Sequence, residues 1–134
     1  MASFSKSSLD KLNTCDPRLV ALFMEVVKHY DCTVTCGVRS KEDQDEAYRT
    51  GKSKLKWPDS KHNVLNSTDK SKAVDVVPCP IDWNNKDAFY HFAGFVRGVA
   101  SQQGIKIRWG GDWDGDNNLK NQTFFDLPHF ELVD

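Results

Sequence analysis

The sequence is short of several things, and each shortage excludes a class of protein. No stretch approaches the roughly 18 unbroken apolar residues that a membrane span needs, so no membrane-spanning segment is expected. The charge balance is nearly even, with a formal net charge of -1 at neutral pH, which argues against a general binder of polyanions and hence against nucleic acid as a partner. Cysteine is sparse. Cys15, Cys32, Cys36 and Cys79 are too few for a disulfide scaffold and fit a reducing compartment. Between Cys32 and Cys36 the β-branched run Thr33-Val34-Thr35 offers no tight turn, so buried free thiols are the first reading there and a zinc knuckle the second. The opening residues Met1 to Lys6 lack the apolar segment of a secretory signal, and export by the general route is not expected. Neither an internal repeat nor a low-complexity linker occurs.

What is present is the composition of one globular domain. Hydrophobic residues make up 39% and charged residues 28% of 134, and 8 Phe with 4 Trp supply bulk for an aromatic core. A chain of this size buries roughly two-thirds of its unfolded surface, so neither staples nor a partner is required for stability. We expect a monomeric single domain over residues 1–134, with 1–15 as a flexible or loosely packed lead-in.

Asp16-Pro17-Arg18 opens a helix, Asp16 as N-cap and Pro17 in the first turn, and Leu19, Leu22, Phe23, Val26 and Val27 carry it to about Tyr30. Cys32 to Val38 reads as a strand. Ser40 caps a charged helix, Lys41 to Arg49, which Gly51 ends. Residues 51–72 are polar, Lys-rich and aperiodic, a long loop of the kind that is usually functional. Ala73 to Val77 is a strand stopped by Pro78 and Pro80. Lys86 to Gln103 is a long helix with Ala88, Phe92, Phe95 and Val99 on one stripe, closed by Gly104. Ile105 to Trp109 and Phe130 to Val133 are further strands, separated by an acidic turn-rich loop, Gly110 to Asn118. The mixture lacks a regular βαβ rhythm, so the fold class is α+β.

Four histidines exist. His29 ends a helix, where a cation suits the dipole, and His91 lies within the long helix as a surface or half-buried residue. His62 and His129 stand beside strands that can aim them at one place. Asp75 sits in the apolar strand Ala73-Val74-Asp75-Val76-Val77, where a carboxylate is costly unless paired or bound to a cation. Alternation puts Asp75 on the face opposite Val74 and Val76, and puts His129 with Glu131 on the face opposite Phe130 and Leu132. Two imidazoles and one carboxylate make a three-ligand set with an open tetrahedral position, the arrangement of a catalytic zinc. Unrelated structural histidines and a salt-bridged Asp75 are the alternative that these residues alone leave open.

Motif order adds to this. Ser60-Lys61-His62, Ala73-Val74-Asp75 and Asp126-Leu127-Pro128-His129 resemble the S-x-H, A-x-D and (D/E)-x-x-H signature of the zinc D-alanyl-D-alanine carboxypeptidase and L-alanyl-D-glutamate endopeptidase family. That family shares its fold with the hedgehog signalling domain. Gly37-Val38-Arg39-Ser40 with Gln44, Tyr48 and Gly51 is similar to the family's G-x-R-[ST] segment and Gln-bearing helix. Ile81-Asp82-Trp83 and the run Ile105 to Trp113 resemble segments of its small phage endolysins. The likeness extends from about residue 17 to the C-terminus. It departs at one point: His62 and Asp75 stand further apart than in the family pattern, the surplus being Asn63 to roughly Asp69. A metal site fixes the ends of such an excursion and not its length.

The resemblance implies a hedgehog/DD-peptidase-like α+β fold, a small antiparallel sheet with packed helices. It implies zinc on His62, Asp75 and His129 with water in the fourth position, and Asp126 as general base, against a plain turn residue before Leu127-Pro128. Arg39 would steady the substrate carboxylate or the developing oxyanion, against a surface Arg opening a helix. Ser60 would support His62 by hydrogen bonding, and Gln44 is structural. Two softer signals stand outside the resemblance. Lys52, Lys54, Lys56, Lys61, Lys70 and Lys72 crowd one loop, either as a solvated face or as a cationic rim that steers anionic wall peptide. Asp112, Asp114 and Asp116 have oxygen-ligand spacing for calcium without being an EF-hand, the alternative being an acidic turn.

The function expected is that of a phage endolysin, a zinc metallopeptidase cutting the L-Ala–D-Glu bond of peptidoglycan stem peptides. It would reside in the host bacterial cytoplasm until lysis and act on periplasmic peptidoglycan. A D-Ala-D-Ala carboxypeptidase and a catalytically silent hedgehog-like binding module are the alternatives. A candidate base at Asp126 speaks against the second, since a binder needs none.

Overall fold

The computed structural model describes residues 2–118, 120 and 125–133. In chain order the elements are α1 (Lys6–Leu12), α2 (Pro17–His29), β1 (Cys32–Cys36), α3 (Lys41–Arg49), β2 (Ala73–Pro78), α4 (Lys86–Gln103), β3 (Ile107–Trp109) and β4 (His129–Leu132). The four strands form one antiparallel sheet in the order β1-β2-β4-β3. The class is α+β with a small antiparallel sheet, as the sequence led us to expect. Among the described residues no helix is long and apolar enough to cross a membrane.

Helix boundaries follow their caps. The Asp16 carboxylate accepts from the Arg18 N–H at the start of α2, Ser40 Oγ accepts from Asp43 at the start of α3, and Gly104 ends α4 at φ 72. The sheet has two unlike faces. Val34, Val74, Val76, Phe130 and Leu132 join α2 and α4 in the core, where Phe130 meets Phe23 and Phe92 edge-on at 5.5 and 6.1 Å between centroids. The other face carries Asp75, His129 and Glu131 towards the long loop.

Three expectations need correction. Within the expected loose lead-in 1–15 the described residues are packed: Ser5 caps α1, Phe4 and Leu12 are buried in the core, and Ser8 Oγ accepts from the Val34 N–H of β1 at 3.1 Å. The buried stripe of α4 is Phe89, Phe92, Ala93, Val96 and Ala100, turned about one residue from Ala88, Phe92, Phe95 and Val99. Phe95 instead meets His29 and Tyr30 at the end of α2. Finally, Ile105 is held by Ala100 at the helix end, so β3 starts at Ile107.

Two features set the loops over the sheet. At Gly37 a Cβ would lie 2.3 Å from the Lys11 carbonyl oxygen, so only glycine lets the chain after β1 press against α1. The Lys72 N–H donates to the Lys61 carbonyl at 2.9 Å, which closes the excursion containing Asn63 to Asp69 at its base.

Candidate metal centre and catalytic cleft

The register of β2 with β4 sets Asp75 directly opposite His129, and Cys36 of β1 pairs with Asp75 on its other side. The loop after α3 then delivers His62, whose carbonyl accepts from the Arg39 N–H at 2.9 Å. Three atoms converge. Asp75 Oδ1 lies 3.1 Å from His62 Nε2 and 3.4 Å from His129 Nδ1, and the two nitrogens are 3.2 Å apart. All three residues are buried.

The outer contacts fix which lone pairs point inward. His62 Nδ1 is 2.7 Å from the Gly37 carbonyl oxygen, which can only accept, so Nδ1 carries the hydrogen and Nε2 presents a lone pair. His129 Nε2 donates in the same way to Glu131 Oε1 at 2.8 Å, which leaves Nδ1 facing Asp75. Two nitrogen lone pairs and a carboxylate oxygen thus meet in one buried place. Such a donor set repels itself unless a cation sits within it, and N, N, O ligation by neutral imidazoles and a carboxylate suits zinc.

The electrostatics agree. Burial opposes protonation of His62, yet the Asp75 charge and hydrogen bond lift it to about 10. His129 is also raised, through hydrogen bonds to Asp75 and Glu131, against the same burial. Asp75 is held far below the carboxylate range by both imidazoles in spite of burial. A field that attracts a proton this strongly attracts a metal cation too.

Around this set the remaining candidates fall into place. Asp126 Oδ2 is 3.8 Å from His129 Nδ1, too far for a hydrogen bond, and offers a ligand atom within 4.8 Å of those of Asp75 and His129. Burial, then the nearby Asp75 charge, pushes Asp126 up to about 6. Its backbone is set by Gly110, which accepts from the Asp126 N–H at 2.9 Å, and a Cβ on Gly110 would lie 1.9 Å from the Asp126 carbonyl oxygen. Arg39 donates to Gln44 Oε1 at 3.0 Å and to Asp75 Oδ2 at 3.4 Å, so it is no free surface arginine. Gln44 is fully buried and ties Arg39 to Ser53 and Leu55. Ser60 Oγ accepts from the His62 N–H at 3.2 Å.

The lysines divide. Lys52, Lys54 and Lys61 line a chamber over the site, while Lys72 pairs with Asp16, Lys70 donates to the Asn13 carbonyl, and Lys56 lies over the Tyr48 ring. Among the cysteines, Cys32 is in the core, whereas Cys36 Sγ reaches within 3.8 Å of His62 Nδ1; no pair is bonded as a disulfide. His29 pairs with Glu25 and His91 with the Tyr30 hydroxyl, both away from the site.

Sequence reasoning missed three participants. Glu131 orients His129 and is itself flanked by Lys61 and Arg108, each 3.5 Å from Oε2. The alternation that put it on His129's face was the available signal. The Trp113 ring packs 5.3 Å from that of His129, and the Gly37 carbonyl orients His62. Neither contact has a signature in sequence spacing.

Asp112, Asp114 and Asp116 form a second group, each offering an oxygen within 4.8 Å of the others. Asp112 Oδ2 accepts from the Asn117 N–H at 2.8 Å and from Arg97 at 3.3 Å. Its Oδ1 is buried with no hydrogen-bond partner among the described residues.

Three likenesses complete the description. A family model described as phage L-alanyl-D-glutamate peptidase matches residues 1–133. The L-alanyl-D-glutamate peptidase of Escherichia phage T5 is 32% identical over 139 residues, covering 97% of this chain and 97% of that one. The crystal structure of the Serratia marcescens L-Ala D-Glu endopeptidase ChiX is similar with a TM-score of 0.74 at 28% identity, over 98% of this chain and 91% of that one.

Proposed function

The chain belongs to the phage L-alanyl-D-glutamate peptidase family, and on that premise we propose that it is a zinc-dependent endolysin that hydrolyses the L-Ala–D-Glu bond of peptidoglycan stem peptides. The observation that carries the zinc reading is the meeting of His62 Nε2, Asp75 Oδ1 and His129 Nδ1 within 3.4 Å, with both outer imidazole nitrogens already committed as donors. Those three residues would hold the ion. Zinc bound there supplies a Lewis acid that makes water acidic near neutral pH.

The chain's own groups do the rest. Asp126, ionised, takes a proton from the attacking water as the new C–O bond forms at the alanine carbonyl. It returns that proton to the glutamate nitrogen as the C–N bond breaks, leaving an alanine carboxylate and a free D-Glu amine. Burial and the Asp75 charge raise this carboxyl and a bound cation would lower it, so Asp126 is ionised at neutral pH and free to take the proton. Arg39, held by Gln44 and Asp75, keeps a positive charge beside the place where negative charge develops on the carbonyl oxygen. Ser60 steadies the backbone of His62. The enzyme is read as a monomer that works on the periplasmic wall from the host cytoplasm at lysis.

The acidic loop is read as a calcium site made by Asp112, Asp114 and Asp116. The observation favouring it is the buried Asp112 Oδ1, which has no hydrogen-bond partner among the described residues and which a hard cation would satisfy. Trp113 follows Asp112 directly and packs on His129, so a cation that orders this loop also orders the wall of the catalytic chamber.

Digestion of purified muropeptides followed by mass spectrometry tests the assignment. A new D-Glu amine with the glycan intact is the expected product. Free D-alanine alone would transfer the case to a carboxypeptidase, and no cleavage by zinc-loaded protein would leave a binding module.

A further inference from the structure

Two cavities of opposite character meet at the metal centre. One is a chamber of about 290 Å³ walled by Lys52, Lys54 and Lys61 together with Leu55 and Trp113. The other is a cleft of about 800 Å³ on the far side of Arg39, with Asp43 and Glu46 on its wall beside the aromatic rings of Trp83 and Phe125. Arg39, Lys52 and Asp126 line both. The two cavities therefore offer room for a substrate on either side of the site.

We propose that this asymmetry sets the direction of the substrate: the lysine chamber takes the D-Glu half, and the aromatic cleft takes the L-Ala half with the muramyl sugar attached to it. The inference rests on the peptidase reading above. The chemistry of the two halves is unlike. D-Glu has two carboxyls, of which one continues the chain and the other stays free and negative. L-Ala brings no charge, and its nitrogen is joined through a lactyl group to the sugar. The free carboxylate finds Lys54 and Lys61 in the chamber, whereas the cleft adds Asp43 and an Arg49-paired Glu46 to the Arg39 and Lys52 that both cavities share, so charge favours this orientation over the reverse. The two other carboxylates on the chamber wall do not offset this. Glu131 is already engaged by His129, Lys61 and Arg108, and Asp126 belongs to the junction.

The cleft is built for a ring with an apolar face. Trp83 is 58% exposed, yet its indole is stacked on Phe89 at 5.8 Å between centroids and 29° between planes. One face is thus backed and the other is left open. Phe125, 45% exposed, stands in the same cleft. Large aromatic surface held rigid and open beside a catalytic group marks a binding position rather than ordinary surface. A pyranose ring offers a face of C–H groups to an indole and a rim of hydroxyls to acceptors, which Asp43 and Glu46 supply. The larger cavity also matches the bulkier half.

Kinetics with two matched substrate pairs test this. The first pair is a muramyl peptide and the same peptide without sugar; the second carries D-Glu with its free carboxylate or with that group amidated. Trp83→Ala should lower the ratio of kcat/KM for sugared over bare peptide by about tenfold, chiefly through KM, with Trp83→Phe restoring most of it. Lys54→Gln, which changes a lysine of the chamber alone, should lower the ratio for acid over amide by about fivefold, and added salt should shrink that difference. Each variant should leave the other pair's ratio near wild type. Unchanged ratios in folded variants, or ratios exchanged between the two variants, overturn the proposal. If the wild type cuts no substrate between L-Ala and D-Glu, the peptidase reading fails and this inference with it, an outcome distinct from cleavage with unchanged ratios.

Discussion

Asp75 and His129 are direct partners across the antiparallel pairing of β2 with β4, and Asp75 Oδ1 lies 3.4 Å from His129 Nδ1. Two of the three proposed ligands therefore share the most constrained part of the fold, a hydrogen-bonded sheet whose opposite face is the core. The third, His62, comes from a loop fastened to Gly37 and Arg39. A centre built this way is preorganised by the sheet and completed by the loop.

Asp126→Asn keeps shape while removing the ability to accept a proton. Turnover should fall by about 10²–10⁴-fold, with zinc content and folding near wild type. The base must be ionised to act, so activity falls as pH drops through its pKa. That value is raised to about 6 by burial and Asp75, and a bound cation pulls it down, so the acid limb lies at or below about pH 6. The limb should vanish from the residual activity of Asp126→Asn. Wild-type turnover by the zinc-loaded variant would remove Asp126 from the mechanism.

Zinc should bind at about one equivalent per chain. His62→Ala or His129→Ala should lose most of it, because the remaining pair of ligands cannot close the set. Glu131→Gln removes no ligand but exchanges the carboxylate that holds His129 for an amide, and should weaken zinc affinity by about 10–100-fold with the fold retained. Competition with a metal-sensitive dye reads these constants without reference to activity. Full zinc in the His62/His129 double variant would sink the assignment.

Calcium should bind zinc-loaded wild type with measurable heat, and Asp112→Asn should bind it at least about tenfold more weakly. Strong chelators would strip zinc as well, so titration of calcium into zinc-loaded protein is the informative direction. No heat, together with unchanged activity in millimolar calcium, would dispose of the site.

Asp16 tests the scaffold instead of the chemistry. Hydrogen bonds from Arg18, helped by the Lys72 ammonium, hold its carboxyl well below the usual range in spite of burial. A depressed folded pKa contributes stability that is fully present above the unfolded value of about 3.9 and is lost as pH falls towards the folded one. Asp16→Asn keeps the N-cap, so the charge is what changes. The variant should be less stable by about 1–2 kcal/mol at pH 7. The gap should narrow on acidification below about pH 4, as denaturant midpoints at several pH values would record.

Much of this was legible in the residues. Caps and turns set α2, α3 and α4, because Asp16-Pro17, Ser40 and Gly104 act locally. Strand alternation put Asp75 and His129 on the polar face, since a period of two needs no tertiary information. Motif order brought in His62, whose approach through a long loop no periodicity describes. What stayed hidden was tertiary. The short helix α1 is too brief to be stable alone and exists through the burial of Phe4 and Leu12. The rotation of α4 depends on where Phe95 finds its partners, and Trp113 and Gly37 act through contacts between distant segments.

The backbone bond between Lys72 and Lys61 makes the excursion between them a stalk with a sealed base. Leu65, 75% exposed, lies on this excursion. Because closing a loop of given ends costs only slightly more as it lengthens, foreign sequence spliced there should leave His62 and Asp75 where they are. This makes the tip a grafting point for a wall-binding peptide, a way to redirect the enzyme to other bacterial surfaces without touching its catalytic groups.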